Sequence, residues 1–207
     1  MKKLEAHEVP LSKVFSSDYE FAIPDYQRPY TWGIEQATQL LDDLYDAVDR
    51  NPDEPYFLGS VVLVKDANVP QAEVIDGQQR LTTLTILLAV LRELSDDEKD
   101  YLDKLIWEPG DPIQDLASRP RIRLRRRDED FFRKHVQDRG GLAVLEAGVA
   151  PANDAQEQIA ENVKALRRLL DQKARKSVSR WRRPSPCAPS LSLSAHLIWP
   201  ARTASSQ

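Results

Sequence analysis

The stretch Glu73–Leu94, "EVIDGQQRLTTLTILLAVLREL", decides how the rest of the chain is read. A short apolar run, Val74 and Ile75, stops at the pair Asp76-Gly77, and two glutamines, an arginine and an apolar segment set with threonines follow. The run before the pair reads as a strand end. Residues Gln78 to Leu94 read as a helix that is apolar nearly all round, through Leu81, Leu84, Ile86, Leu87, Leu88, Val90, Leu91 and Leu94. Such a helix is buried by neighbours on most sides, which makes it the expected spine of the domain. Asp76, three residues ahead of Gln79, has the spacing of a reciprocal capping box at that helix's start.

Working outward, "YFLGSVVLVKD" (Tyr56–Asp66) is dense in β-branched and aromatic residues and reads as a buried strand. After the polar link from Asn68 to Gln71, "QAEVID" reads as its hairpin partner. In "GIEQATQLLDDLYDAVDR" the apolar residues Ile34, Ala37, Leu41, Leu44 and Val48 recur at spacings of three and four. That pattern predicts an amphipathic helix ending before Asn51-Pro52. "YEFAIPDYQRPYTW" (Tyr19–Trp32) is extended with turns at Pro24 and Pro29, since proline pushes its predecessor out of helical geometry. Downstream, "SDDEKDYLDKLI" predicts a short helix, and "RPRIRLRRRDEDFFRKHVQD" a short strand at Ile122 and Leu124 leading into a helix. Residues Ala155 to Lys176 predict an amphipathic helix on Ile159, Val163, Leu166 and Leu170. The expected class is α+β, with a small mixed sheet, packed helices, a helical extension and an irregular C-terminal tail.

Composition narrows the function. An apolar fraction of 41% over 207 residues supports a real core. A net charge of -4, with 30% charged residues of both signs, describes a soluble surface, so any nucleic-acid contact must come from a local patch. The single cysteine, Cys187, excludes an intrachain disulfide and a cysteine-based zinc site. Acidic residues where a signal peptide needs an apolar core, and the lack of a membrane-length apolar run, predict a cytoplasmic protein without a membrane partner. Residues 172–207 contain none of the 33 acidic residues, where about seven would be expected at the density of the preceding chain. This Ser-, Pro- and Arg-rich tail also holds Trp181 and Trp199, which suit disorder badly. A shift of coding frame near Ser177 accounts for both features.

Two short constellations could carry chemistry. At "DGQQR", a helix start supplies free backbone N–H groups and a positive dipole end, Gly77 allows close approach, and Arg80 adds a cation suited to phosphate oxygens. Gln78 and Gln79 could orient water or read a base. The alternative is that Asp76 is only a cap. At "IPDYQRPYTW", Gln27 and Arg28 could meet Gln78 to Arg80 across a cleft, with Tyr26, Tyr30 and Trp32 available to stack a base. The alternative there is a proline-shaped surface loop whose aromatics pack on the domain.

"FAIPDYQRPYTW", "YFLGSVVL" and "VIDGQQRLTTLTILLAVLREL", in that order and spacing, closely resemble the N-terminal domain of the GmrSD-type restriction endonucleases, a branch of the ParB/sulfiredoxin-like superfamily. The later "RIRLRRRDEDFF" is also similar, and the resemblance covers about Leu4 to Lys176. It implies a nucleotide-binding core over residues 1–110, a helical extension over 111–176 and a separate tail over 177–207. It also implies a nucleoside triphosphate as ligand, a divalent cation such as Mg²⁺ or Ca²⁺, and a role controlling cleavage of modified phage DNA. On the matching positions, the implied nucleotide contacts are Tyr26, Asp76, Gly77, Gln78, Arg80 and Thr82. The implied catalytic residues are Arg28 and Arg80, to neutralise phosphoryl charge, with Gln27 or Gln79 to place water. Asp76 either caps the helix or holds the cation. Family members commonly continue into a His-Asn-His nuclease domain, whereas this chain has only His7, His135 and His196, so a separate nuclease domain or subunit is the expected partner. The rival readings are a DNA-binding module in which nucleotide is only a switch, and an inactive remnant.

The basic run Arg119–Arg127 offers a DNA backbone contact through Arg121, Arg123, Arg125, Arg126 and Arg127. Its alternative is a solvated strand edge balanced by Asp128, Glu129 and Asp130.

Overall fold

A computed structural model describes residues 3–50, 56–66, 69–111, 113, 117–177 and 193–201. The hairpin inferred from sequence forms the centre of the sheet: β3 (Tyr56–Lys65) pairs antiparallel with β4 (Gln71–Asp76). Along β4, Ala72 and Val74 are buried while Gln71, Glu73 and Ile75 face outward, the alternation that one covered sheet face requires. The register slips between Val62 and Leu63, next to the end of β4 where the cleft begins. β2 (Glu20–Ala22) runs parallel to β4 on one side and to β7 (Ile122–Arg123) on the other. The sheet is therefore mixed, as expected.

β1 (Lys3–Pro10), followed by the short helix α1 (Leu11–Val14), was not foreseen. Part of the expected irregular tail is also extended, because the backbone of Leu193–Ala201 forms β8 between β1 and β3. The tail's apolar run Leu197–Trp199 lies in that strand, while Trp181 and Cys187 lie outside the described residues. The full strand order is β1-β8-β3-β4-β2-β7. A second ladder joins β5 (Trp107–Glu108) to β6 (Arg119–Pro120).

The helix α2 (Ile34–Arg50) buries Ala37, Leu40, Leu41 and Leu44, as its spacing requires, but Ile34 at its start stays exposed. The spine helix α3 (Gln78–Leu94) is buried at thirteen of its seventeen positions. Its threonines do not oppose that burial: the Thr83 hydroxyl donates to Gln79 O at 2.8 Å and the Thr85 hydroxyl to Leu81 O at 2.9 Å. Each hydroxyl is thus satisfied within the helix.

After α4 (Lys99–Ile106), β7 leads into α5 (Arg126–Phe132), which continues as a π-helical turn over Arg133–Gln137. Arg92 of α3, fully buried, closes that turn by donating to the carbonyls of Val136, Gln137 and Asp138 and to Asp103 Oδ1 at 2.8 Å. It satisfies the carbonyls a helix end leaves open. α6 (Gly141–Glu146) and α7 (Asp154–Ser177) complete the packing. Val136, Leu145, Ile159, Val163 and Leu166 share one core with Leu81, Ile86 and Val90, so the helical extension and the sheet layer are packed together. Among the described residues no helix is long and apolar enough to cross a membrane.

Candidate functional site

The junction of β4 and α3 is made by Gly77, whose φ of 92° is a left-handed conformation that side chains disfavour. A Cβ there would also lie 2.9 Å from Val61 Cγ2 and 3.2 Å from Ser60 O, so the turn needs glycine for space as well. Gly77 itself is the helix cap, and no side chain caps α3. The capping box expected between Asp76 and Gln79 is therefore not formed. Asp76 ends β4 opposite Val62 with its carboxylate exposed, and the Gln79 amide is turned to other partners. The first N–H groups of α3 are left without a side-chain acceptor.

Both motifs converge here. A cavity of about 470 Å³ is lined by Gln27, Arg28 and Trp32 from the loop after β2 and by Asp76, Gly77, Gln78, Gln79 and Arg80. The Gln27 amide donates to Ile75 O at 3.0 Å, and Gln78 donates to Gln27 Oε1 at 3.4 Å. The two Gln-Arg motifs thus touch across the cleft.

Arg80 lies over Gly59 of β3, and its Nη1 reaches Ser60 O at 3.4 Å. A Cβ on Gly59 would stand 2.7 Å from Nη1 and 2.8 Å from Cζ, and Gly59 has a φ of +108°. Gly59 is thus a site residue that the sequence reading passed over, although a lone glycine inside a strand pattern signals close approach. Neither Arg28 nor Arg80 has a carboxylate partner among the described residues.

Gln79 departs from its expected role. Its Oε1 accepts from Thr31 N at 2.8 Å and Trp32 N at 3.1 Å, and its Nε2 donates to Pro29 O at 2.9 Å. With both oxygen lone pairs engaged, Gln79 holds the loop and has no acceptor left for water. Gln27 is the better placed of the two amides. Thr82 is buried and lines a neighbouring cavity of only about 10 Å³ with Arg28, Tyr30, Gln78, Arg125 and Asp128. It stands behind the cleft instead of facing a ligand. Tyr26 is 71% exposed at the loop's tip and does not line the cavity, whereas Trp32 does. Burial pushes the Tyr30 hydroxyl up to about 12, its bonds to Thr83 and Asn162 opposing that only in part.

The basic run is mostly paired. Arg121 is buried against Glu108 at 3.1 Å, which removes it from any DNA surface, and burial lowers its pKa against the pull of Glu108. Arg119 and Arg123 pair with Glu20 at 2.8 and 3.6 Å. Arg126 pairs with Asp25 at 3.4 Å, while Arg127 is exposed. Arg125 binds the buried Asp128 at 2.8 Å and reaches Gln27 O at 3.5 Å, so it faces the cleft loop.

Asp76 is, among the described residues, the one carboxylate lining the cleft. Among the described residues, no group of three or more His, Cys, Asp or Glu side chains could hold a metal ion. A cation at Asp76 would take most of its ligands from phosphate oxygens and water, the usual manner of Mg²⁺.

The family described as GmrSD restriction endonuclease, N-terminal domain, matches residues 11–182. The match ends inside the stretch where acidic residues cease. No curated protein matches the chain.

Proposed function

The chain belongs to the family of GmrSD restriction endonuclease N-terminal domains, and on that footing we propose that its cleft binds and hydrolyses a nucleoside triphosphate to regulate a bacterial antiphage restriction system. A separate nuclease domain or subunit then cuts the modified DNA. One observation carries the nucleotide reading. Arg28 and Arg80, free of carboxylates, flank an uncapped helix start on a cavity of about 470 Å³, while most arginines of the basic run are neutralised by neighbours. Unpaired guanidinium groups and helix N–H groups converging on one space are suited to a polyphosphate.

In this reading Arg28 and Arg80 bind the phosphates and counter the charge that spreads onto the transferred group. Gln27, with an oxygen accepting one long bond from Gln78, holds the attacking water. Trp32 offers a face to the base. Asp76 is the residue that would hold a divalent cation, and such a cation would supply charge neutralisation for the phosphates.

A second reading has an observation of its own. Among the described residues the cleft lining includes one carboxylate and no His, Lys or Cys, so none of them is a strong general base, which favours nucleotide as a switch. Phosphate release from a panel of nucleoside triphosphates, with and without Mg²⁺ or Ca²⁺, separates the two. Turnover that falls about 100-fold or more in Arg80→Ala and in Gln27→Ala supports hydrolysis. Binding without turnover selects the switch, and the absence of both leaves an inactive remnant. Asp76→Asn is expected to abolish the cation dependence while leaving residual binding.

A further inference from the structure

Asn162 lies on α7, 132 residues from Tyr30 in the chain, yet its amide is fully buried beside the cleft loop. Its Nδ2 donates to the Tyr30 hydroxyl at 2.8 Å and to Trp32 O at 2.7 Å. The Tyr30 hydroxyl is in turn 2.8 Å from Thr83 Oγ1, and Thr83 donates to Gln79 O at 2.8 Å. Counting protons fixes the direction of every bond. Thr83 has one hydroxyl proton and gives it to Gln79 O, so Tyr30 must donate to Thr83 and accept from Asn162. An unbroken chain of donation runs from α7 to the first turn of α3.

One atom in this network is left over. Asn162 Oδ1 is buried without a hydrogen-bond partner. Rotating the amide would not help, because it would bring an oxygen against the Trp32 carbonyl at 2.7 Å. A leucine would remove that orphaned oxygen but would take the shared donor from the Trp32 carbonyl and the Tyr30 hydroxyl, so the asparagine keeps one oxygen unsatisfied in order to hold two others. What it does accomplish is to join two walls of the cavity: Trp32 on the loop, and Gln79 on the helix.

We propose that Asn162 is a positioning residue for the cleft: acting through Tyr30 and Thr83, it locks the aromatic wall at Trp32 to the first turn of α3. The proposal rests on the nucleotide reading above. The spacing between base platform and phosphate-binding turn is thereby set from α7, whose Ile159, Val163 and Leu166 are fixed in the core. A nucleoside triphosphate needs both ends held at once, so loosening this link weakens binding and turnover together without touching the ligand.

The test uses the full chain and the variants Asn162→Leu, Tyr30→Phe, Thr83→Val and Thr83→Ser. Two readouts are taken: amide hydrogen exchange over residues 29–33 without nucleotide, and triphosphate affinity with phosphate release. Asn162→Leu, Tyr30→Phe and Thr83→Val are expected to speed exchange in that loop and to weaken affinity about ten-fold, while Thr83→Ser, which keeps the hydroxyl, stays near wild type. The double variant Asn162→Leu/Tyr30→Phe should be no worse than the weaker single, because both cut one path. Should Asn162→Leu fail to fold, Tyr30→Phe and the threonine pair decide alone. Wild-type affinity in the folded Leu, Phe and Val variants, alongside a loss in Arg80→Ala, overturns the positioning role and leaves the nucleotide reading standing. If no triphosphate binds the wild-type chain, the nucleotide reading falls and the positioning role falls with it. Faster loop exchange would then show only a structural clamp.

Discussion

Replacing Gln79 with methionine keeps the side chain's length and flexibility and removes three hydrogen bonds to the cleft loop in one step, those to Thr31 N, Trp32 N and Pro29 O. At a net worth of roughly 1 kcal/mol each, the loss is about 3 kcal/mol. Thr31 is exposed, so water recovers part of its bond and the expected cost is roughly 2–3 kcal/mol. For a chain of this size that corresponds to a fall in melting temperature of about 5–10 °C. Circular dichroism during thermal or urea unfolding reads it directly. Gln27→Met, which removes one good bond to Ile75 O on the rim and one long bond from Gln78, is the control and should cost about 1 kcal/mol while still impairing turnover. A Gln79→Met protein within about 0.5 kcal/mol of wild type would refute the clamp. The Gln79 amide would then be available to orient water, as the sequence alone had suggested.

Gly59→Ala places a methyl group 2.7 Å from Arg80 Nη1 on a backbone with φ +108°, so it is expected to cost about 1–2 kcal/mol and to weaken triphosphate binding at least ten-fold by displacing the guanidinium, as titration calorimetry would show. Arg92→Ala empties a fully buried site and removes four bonds, leaving Val136 O without this donor while Gln137 O keeps Trp107 Nε1, Asp138 O keeps Gly141 N and Asp103 keeps Arg139. It should destabilise by about 3–5 kcal/mol in urea unfolding. Tyr30 has an ordinary pKa of 10.0 when unfolded and about 12 when folded, so its contribution is complete below pH 10 and is lost as pH rises from 10 through 12, because only the unfolded chain sheds the proton there. The upper bound is about 3 kcal/mol, and Tyr30→Phe should flatten the alkaline limb of stability against pH.

Elements that bury a periodic face were legible in the sequence, and those held by distant polar pairs were not. The hairpin, α2, α3, α4 and α7 follow from runs whose spacing matches a strand or a helix, since each buries its own apolar face. β1 and the two-residue strands β5 and β6 have no such face, so nothing local announced them. The convergence of the two Gln-Arg motifs could be anticipated because each stood beside a turn with unusual polar content. The error at Asp76 and Gln79 was one of competing partners: the spacing allowed a capping box, but Gln79 forms three bonds to a segment about fifty residues earlier in the chain. Asn162 did leave a trace. It lies three residues after Ile159 and four before Leu166, on the apolar stripe of α7, where a polar residue needs a buried partner.

The pairing of the basic run shows where its charge matters. Glu20, Glu108, Asp25 and Asp128 each hold at least one of its arginines, and Glu20 and Asp25 belong to β2 and to the cleft loop themselves. Asp25 accepts from Arg126 N at 3.0 Å at the start of α5, while Arg125 reaches Gln27 O. The run therefore acts as a brace, tying the loop between Pro24 and Arg28 to α5. That bracing leaves Arg28 exposed, opposite a half-buried Arg80 whose one bond is to Ser60 O, and among the described residues neither has a carboxylate partner. Two like charges held open toward one cavity repel, and an uncapped helix start adds to that repulsion. An anion would relieve all three at once, which is the physical ground of the proposed polyphosphate site.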